Sequence, residues 1–312
     1  MDLLSSYAAW PDQDEHGHEK LTWPATVFMW ATVLIPYLGL AAILVFIPML
    51  RPTCIDVAIF AVVYLFVGFG VTIGYHRMLA HKSFTSYRPI EAFWMILGCM
   101  AMQGPPISWT ATHRRHHQAS DHDGDPHSPH LDGNGVRGVA AGLWHAHTGW
   151  LMKPRKQNVE RSVQDLIKDP TIRFVDRFYF LWLLLSVLIS FGVGYLVHGT
   201  VTGGLVMIVY LVILRIAFMH HATWSVNSVC HFFGYRSYAS GDESRNNPVI
   251  AAISLGEGWH NNHHAFPTSA RHGLKWYEFD PSYVMIATLE KLGLAWNVRR
   301  PNSSAMDAKR IG

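Results

Sequence analysis

Long apolar runs come in pairs along this chain, and the polar residues gather on one side of each pair. Residues 27–50 (VFMWATVLIPYLGLAAILVFIPML) and 53–75 (TCIDVAIFAVVYLFVGFGVTIGY) are separated only by Arg51-Pro52. Residues 178–197 (FYFLWLLLSVLISFGVGYLV) and 201–219 (VTGGLVMIVYLVILRIAFM) are joined by a turn with neither Lys nor Arg. A helix rises about 1.5 Å per residue and a hydrocarbon core is about 30 Å thick, so each run can cross it as a helix. The pattern predicts an all-α integral membrane protein with four transmembrane helices in two hairpins. Residues 90–107 are apolar but shorter and end in Gly104-Pro105-Pro106, which predicts a buried or interfacial helix, not a fifth span. An even number of spans puts residues 1–26, a helical cap made of 76–177 and 220–300, and a polar tail 301–312 on one side. The membrane domain is then 27–300, and the tail is expected to fray.

Charge orients the hairpins. Residues 76–177 carry 13 Lys and Arg, from Arg77 to Arg177, whereas the two opposite turns carry only Arg51. The cap and both termini are therefore expected in the cytoplasm, as in a bacterial inner membrane. Half of the 312 residues are apolar, and the net charge of +3 reads as this membrane bias and not as a nucleic-acid footprint. Residues 1–26 lack a basic n-region and a small-residue cleavage site, so no signal peptide is expected. Cys54, Cys99 and Cys230 lie far apart among apolar residues and read as packing thiols. Arg215, inside an apolar run, should face the bundle interior or snorkel.

Eight of the 20 histidines fall into three clusters: His76 and His81 in HRMLAH, His113, His116 and His117 in HRRHH, and His260, His263 and His264 in HNNHH. Eight imidazoles are too many for one ion of usual coordination number, so two metals are the simplest count. On a helix His113 neighbours both His116 and His117, which point about 100° apart, so one segment can feed two metals; HNNHH repeats the geometry. His76 and His81, five apart, splay on a continuous helix, which would give them to different ions or place them where the helix ends. Isolated His16, His18, His198 and His272 read as solvent or interface residues. Zinc is the runner-up ion, but hydrolytic zinc sites use three protein ligands and HExxH is absent, so redox-active iron fits better. Among the clustered histidines only Glu257-Gly258-Trp259-His260 gives a Glu-x-x-His pair, which disfavours a soluble di-iron carboxylate bundle and leaves Glu257 as an outer partner of a ligand.

Through GYHRMLAH, W-x-x-x-HRRHH, SDHDGDPHSPH, GLWHAHTGW, ATWSVNS-x-x-H and SLGEGWHNNHHAFP, residues 27–300 resemble the membrane fatty-acid desaturases of the stearoyl-CoA type, including bacterial acyl-CoA and acyl-lipid desaturases. The resemblance implies that the eight histidines bind two irons, that His231 is a ninth ligand, and that Asn227 holds a metal-bound water. Asn227 and His231, at i and i+4, also share one helical face. The implied reaction removes two hydrogens from adjacent methylenes of a saturated acyl chain, using O2 and two electrons, to give a cis double bond with Δ9 as the family default.

Breaking unactivated C–H bonds needs an oxidant kept from water, hence an apolar tunnel between the spans. Phe60 and Tyr64, one turn apart, either line or cap that tunnel or are ordinary lipid-facing aromatics. Trp109 and the DGDPH segment are candidates to support the ligands: Asp121, Asp125 and His127 as outer partners of imidazoles, with a solvated acidic loop the competing reading for Asp121 and Asp123. Trp144, His145, His147 and Trp150 read as packing under the cap or meeting a head group. Gly104, Pro105, Ser108 and Ala111 stand where the animal enzymes have polar side chains that hold acyl-CoA, which leaves the carrier open between CoA and a lipid. Lys153, Arg155 and Lys156 either meet a phosphate of that carrier or form a juxtamembrane basic patch. No fused haem domain or dinucleotide fingerprint occurs, so electrons are expected from a separate ferredoxin or cytochrome b5 with its reductase, drawn to the basic face. Two other functions compete: a di-iron acyl hydroxylase, and a metal-binding or transport membrane protein, which would place ligands within the spans.

Overall fold

The computed structural model describes residues 23–133, 135–152 and 162–311, without the side chains of 24–25 and 42–50. His16, His18, Lys153, Arg155, Lys156 and most of the N-terminal segment lie outside these residues. Helix α1, Trp23–Leu50, turns at Arg51, whose φ of 42° is left-handed. Thr53 and Asp56 then close a capping box: the Thr53 hydroxyl accepts the Asp56 N–H at 3.3 Å and the Asp56 carboxylate accepts the Thr53 N–H at 2.8 Å. Amides that no preceding turn can serve are thereby paired. From this cap α2, Cys54–Phe69, runs directly into a π-helical segment, Gly70–Ala80.

Among the described residues, three helices are long and apolar enough to cross a membrane: Cys54–Ala80, Tyr179–His198 and Val201–His231. The second and last expected spans run further than their apolar runs, to Ala80 and His231, and each extension carries histidines.

The short run at 90–107 becomes α3, Arg88–Met100, ended ahead of Gly104 and Pro105. It buries Trp94, Met95 and Cys99 in one cluster with Ile73 and Tyr75 of the π-helical segment. Contact is so close that a Cβ on Gly70 would lie 2.2 Å from the Gly98 nitrogen. Helix α4, Pro106–Ala119, carries HRRHH and is followed by α5, Gly135–His147. Gln164–Lys168 (α6) and Pro170–Arg177 (α7) lead into α8, Tyr179–His198. The last long helix comprises α9, Val201–Ile208, a π-helical turn Val209–Leu214, α10, Arg215–Ser228, and a 3₁₀ turn ending at His231. Arg215 is buried in it as expected, donating to the Leu211 carbonyl at 2.6 Å and to Ser186 Oγ at 3.2 Å.

Beyond His231 follow α11, Pro248–Ile253, α12, His260–Ala265, and α13, Pro281–Lys291. Two short antiparallel strands, Thr85–Ser86 and Ala295–Trp296, clip α13 to the segment after His81. The C-terminal tail does not fray as its polar composition predicts. Ser303–Lys309 form α14, capped by Asn302, and Lys309 Nζ donates to the Ala265 carbonyl at 2.6 Å while the Ile311 N–H donates to Ser237 at 3.0 Å.

Candidate metal centre

The π-helical segment decides where His76 and His81 go. Its hydrogen bonds run i→i+5, and the His81 N–H donates to the His76 carbonyl at 3.1 Å, which stacks residues five apart on one face. The expected splay assumed an α-helical pitch; the wider turn instead puts both rings in one group, their centroids 4.8 Å apart. On α4, His113 and His117 join that group while His116 turns to a second one, and on α12 His263 goes to the first while His260 and His264 go to the second. The nine imidazoles thus form a five-histidine group, His76, His81, His113, His117 and His263, and a four-histidine group, His116, His231, His260 and His264. Two neighbouring clusters fed from shared segments are what the spacing of HRRHH and HNNHH requires.

The rings are turned with Nε2 inward. His81 and His113 Nε2 are 2.8 Å apart, His117 and His263 2.9 Å, His76 and His263 3.1 Å, His231 and His260 3.0 Å, and His116 and His264 3.4 Å. Nitrogens bound about 2.1 Å from one ion at right angles lie about 3.0 Å apart, so these spacings fit imidazoles converging on a metal. On the outward side Nδ1 meets carboxylates: His76 to Glu257 at 2.5 Å, His116 to Asp125 at 2.9 Å, His231 to Asp121 at 2.8 Å and His264 to Asp242 at 2.5 Å. A carboxylate that accepts the Nδ1 proton leaves the Nε2 lone pair free for a cation.

Electrostatics favour neutral imidazoles at most of these positions; at His231 burial pushes the value down but the Asp121 carboxylate beside it raises it above the ordinary one. Burial, reinforced by neighbouring imidazoles, pushes His113, His117, His260 and His263 well below the ordinary imidazole value. His264 falls to about 4 through burial, with Asp242 opposing. Burial alone would raise the carboxyls of Asp121, Asp125, Asp242 and Glu257, but the imidazoles facing them, with Arg77 for Glu257, hold them well below the usual carboxylate range. Neutral donors backed by ionised acceptors are what metal binding at neutral pH requires.

Other expected residues divide. Trp109 stacks on His113 at 5.1 Å, with its indole N–H donating to Gln103 at 3.3 Å. His127 packs 4.3 Å from His116 and donates its backbone N–H to Asp125 at 3.0 Å. Asp121 lies 2.8 Å from His231 Nδ1, whereas Asp123 is exposed. Asn227 and Tyr64 line a cavity that reaches His76, His113, His116 and His260. Phe60 is not part of that lining; it stacks on Tyr64 at 6.0 Å. His147 meets His221 and Ser228 at 3.0 Å. His198 pairs with Asp56 at 2.8 Å, an interface role as read.

His272 departs from its reading as a solvent or interface residue: it is fully buried beside His263 and Glu257. Its partner Arg77, also fully buried, donates to Glu257 at 3.1 Å and to Asp280 at 3.0 Å. Asp242 was not foreseen either. It lies 22 residues from the histidine it holds, a separation that no local period reveals.

The family model described as fatty acid desaturase matches residues 56–300. The chain belongs to the fatty acid desaturase family. It is a fatty acid desaturase, an oxidoreductase, and neither the hydroxylase nor the metal-transport alternative is favoured. A hex-5-enoyl-[acyl-carrier protein] acetylenase of Moorena producens (strain JHB) is 41% identical over 244 residues, 78% of this chain and 76% of its own. An sn-1 stearoyl-lipid 9-desaturase of Anabaena variabilis is 41% identical over 235 residues, 74% of this chain and 79% of its own. An icosanoyl-CoA 5-desaturase of Limnanthes douglasii is 38% identical over 240 residues, 75% and 62% of the two chains. The names of these relatives place their acyl chains on a carrier protein, a lipid and CoA.

Proposed function

We propose that this desaturase introduces a cis double bond, at Δ9, into a saturated fatty acyl chain carried on a lipid or CoA, with two irons in the histidine groups and O2 as co-substrate. One observation carries the proposal: a single cavity is walled by apolar side chains, among them Val71, Met219, Ala222, Val226 and Leu255, and bordered by histidines from both groups. A methylene chain threaded there would lie against the metal centre and out of water. The sn-1 stearoyl-lipid 9-desaturases among the relatives support the position and a lipid carrier.

The irons, when bound, supply with O2 the oxidising power that no acid–base side chain has for an unactivated C–H bond. The remaining work belongs to the protein. The five-histidine group holds one iron, and the four-histidine group, with a water held by Asn227, holds the other. Asp121, Asp125, Asp242 and Glu257 keep the Nδ1 protons in place, so the Nε2 donors stay aimed. The apolar walls bind the chain and exclude water from the oxidant. Gln103 bridges Thr223, at 2.8 Å, and Trp109, fixing two lining groups of the cavity. Four spans, α1 included, would carry a cytoplasmic cap in a bacterial inner membrane. Reducing equivalents would come from a separate ferredoxin or cytochrome b5.

The test is expression in a host deficient in unsaturated fatty acids, with mass-spectrometric profiling of the acyl chains and location of the double bond. A new monoene that vanishes in His116→Ala is expected. A product gaining an oxygen would mean hydroxylation, and metal flux into vesicles without O2 dependence would mean transport. Purified enzyme in vesicles, offered a stearoyl lipid or stearoyl-CoA, decides the carrier.

A further inference from the structure

Within Cys54–Ala80 every residue from Val67 onward is buried in protein, which leaves Cys54–Phe66 as the stretch that reaches lipid. That stretch rises about 20 Å, whereas a hydrocarbon core is about 30 Å thick. The protein packed around the turns just after Phe66 therefore sits at hydrocarbon depth. Its outer surface suits that setting: on α11, Val249 is 70% and Ile253 45% exposed. Tyr64 follows Cys54 by about 15 Å of helix, which puts it level with the middle of the bilayer, where the methyl ends of lipid chains lie.

At this level α2 and the end of α11 meet along a seam that is also a wall of the cavity, lined there by Tyr64, Gly68, Ile253 and Leu255. Two contacts close the seam. The Tyr64 hydroxyl donates to the Ile253 carbonyl at 2.8 Å, and the bond is itself exposed. Ile253 is the last residue of α11, so its carbonyl has no following turn to bond, and the tyrosine stands in for one. Leu255 lies so near α2 that a Cβ on Gly68 would be 2.5 Å from its Cδ1. Its backbone is left-handed, with φ of 57°, a conformation that a side chain makes costly and that the surrounding packing must impose. Ile253 both lines the cavity and is exposed, so at this point the wall is one side chain thick.

We propose that the acyl chain of a membrane lipid enters the cavity sideways from the bilayer, through the seam between α2 and α11 that the Tyr64–Ile253 bond closes. A lipid keeps its ester and head group at the interface while the far half of its chain lies at the depth of Tyr64. Such a chain can slide across the seam without leaving hydrocarbon, whereas entry from the aqueous side would draw each methylene through water. Opening breaks one hydrogen bond, at Tyr64, and parts the apolar contact of Leu255 with α2, which the entering chain replaces.

The portal rests on the reading of this cavity as the acyl site, and one experiment keeps the two apart. Full-length enzyme with Tyr64→Cys and Ile253→Cys, in a Cys54→Ala background, is placed in nanodiscs of a lipid that is not a substrate. A tyrosine's length separates the two thiols too far for a direct disulfide, so a short reducible bis-methanethiosulfonate bridges them. Isotope-labelled stearoyl lipid is delivered without O2 either before or after bridging. O2 and reductant then start a single turnover, and labelled monoene is measured. Wild type that makes no monoene from the lipid sinks the acyl-site reading itself. Given wild-type product, bridging after loading should leave the bound chain convertible, bridging before loading should abolish product, and reducing the bridge should restore it. Product in both orders means another way in and overturns the portal; loss in both orders means that the bridge disturbs the cavity and overturns it too. If the unbridged double variant is inactive, Tyr64→Phe, which keeps the ring and loses the bond, is compared with wild type. Its kcat/KM for the stearoyl lipid should rise about fivefold, the equivalent of one hydrogen bond, and an unchanged or lower value overturns the portal.

Discussion

Single residues here are set by what their burial leaves them to bond. Asp176, on α7, accepts the Ile107 N–H at 2.9 Å near the start of the helix that carries HRRHH. Burial raises its carboxyl from 3.8 to about 6, with that one hydrogen bond opposing. Between those values the folded protein binds more protons than the unfolded chain, so stability is lost as pH rises through the window and the whole penalty is present above pH 6. Two units correspond to at most about 3 kcal/mol. Asp176→Asn keeps an oxygen for Ile107 and removes the charge, so it should raise the melting temperature of solubilised enzyme at pH 8 and leave it unchanged near pH 4. Equal shifts at both values would mean that the carboxyl is not perturbed. The same scale limits what sequence can show. His76, His113 and His260 announce themselves by spacing, whereas Asp242 bonds a histidine 22 residues away, and only the fold brings it there.

At the scale of elements, the apolar runs and the clusters they precede were legible because hydrophobicity and local spacing are both short-range signals. The four-residue relation of Asn227 to His231 and the split of HRRHH between two groups follow from helical pitch alone. The π-helical Gly70–Ala80 was not legible, because its i→i+5 bonds depend on how it packs. Gly70 and Gly98 let that segment and α3 touch backbone to backbone, while Tyr75 and Trp94 pack between the same two elements. Gly70→Ala would place a methyl where the neighbouring main chain already stands and force the two helices apart. Overpacking of this kind costs about 1–3 kcal/mol. We expect a lower melting temperature and, since the same segment carries His76, iron lost selectively from the five-histidine site; a variant with wild-type melting and iron content would show that the contact is not tight. The fraying tail failed for a related reason. Composition registers that residues 301–312 are polar, not that Lys309 reaches a carbonyl at the end of α12.

Across the whole molecule, the long helices share one polarity. Asp56 opens Cys54–Ala80 and bonds His198, the last residue of Tyr179–His198, while Val201–His231 begins three residues later. The other ends, at His76 and His231, meet in the metal centre through His263 and His260. Chemistry and the two turns therefore lie at opposite ends of the helices, about 35–40 Å apart for helices of 27 and 31 residues allowing some tilt. The proposed cytoplasmic cap requires the turn before α2 to face outward, and the protein carries its own reporter there. Cys54 is exposed, whereas Cys99 and Cys230 are buried, and burial pushes the Cys99 thiol above its ordinary value, which further lowers its reactivity. A membrane-impermeant maleimide added to intact spheroplasts should label the wild-type enzyme once, and Cys54→Ala should abolish the label without changing the product profile. Labelling of Cys54 only after lysis would put the turn inside and, with it, the histidines outside, where no cytoplasmic ferredoxin or cytochrome b5 could reduce them.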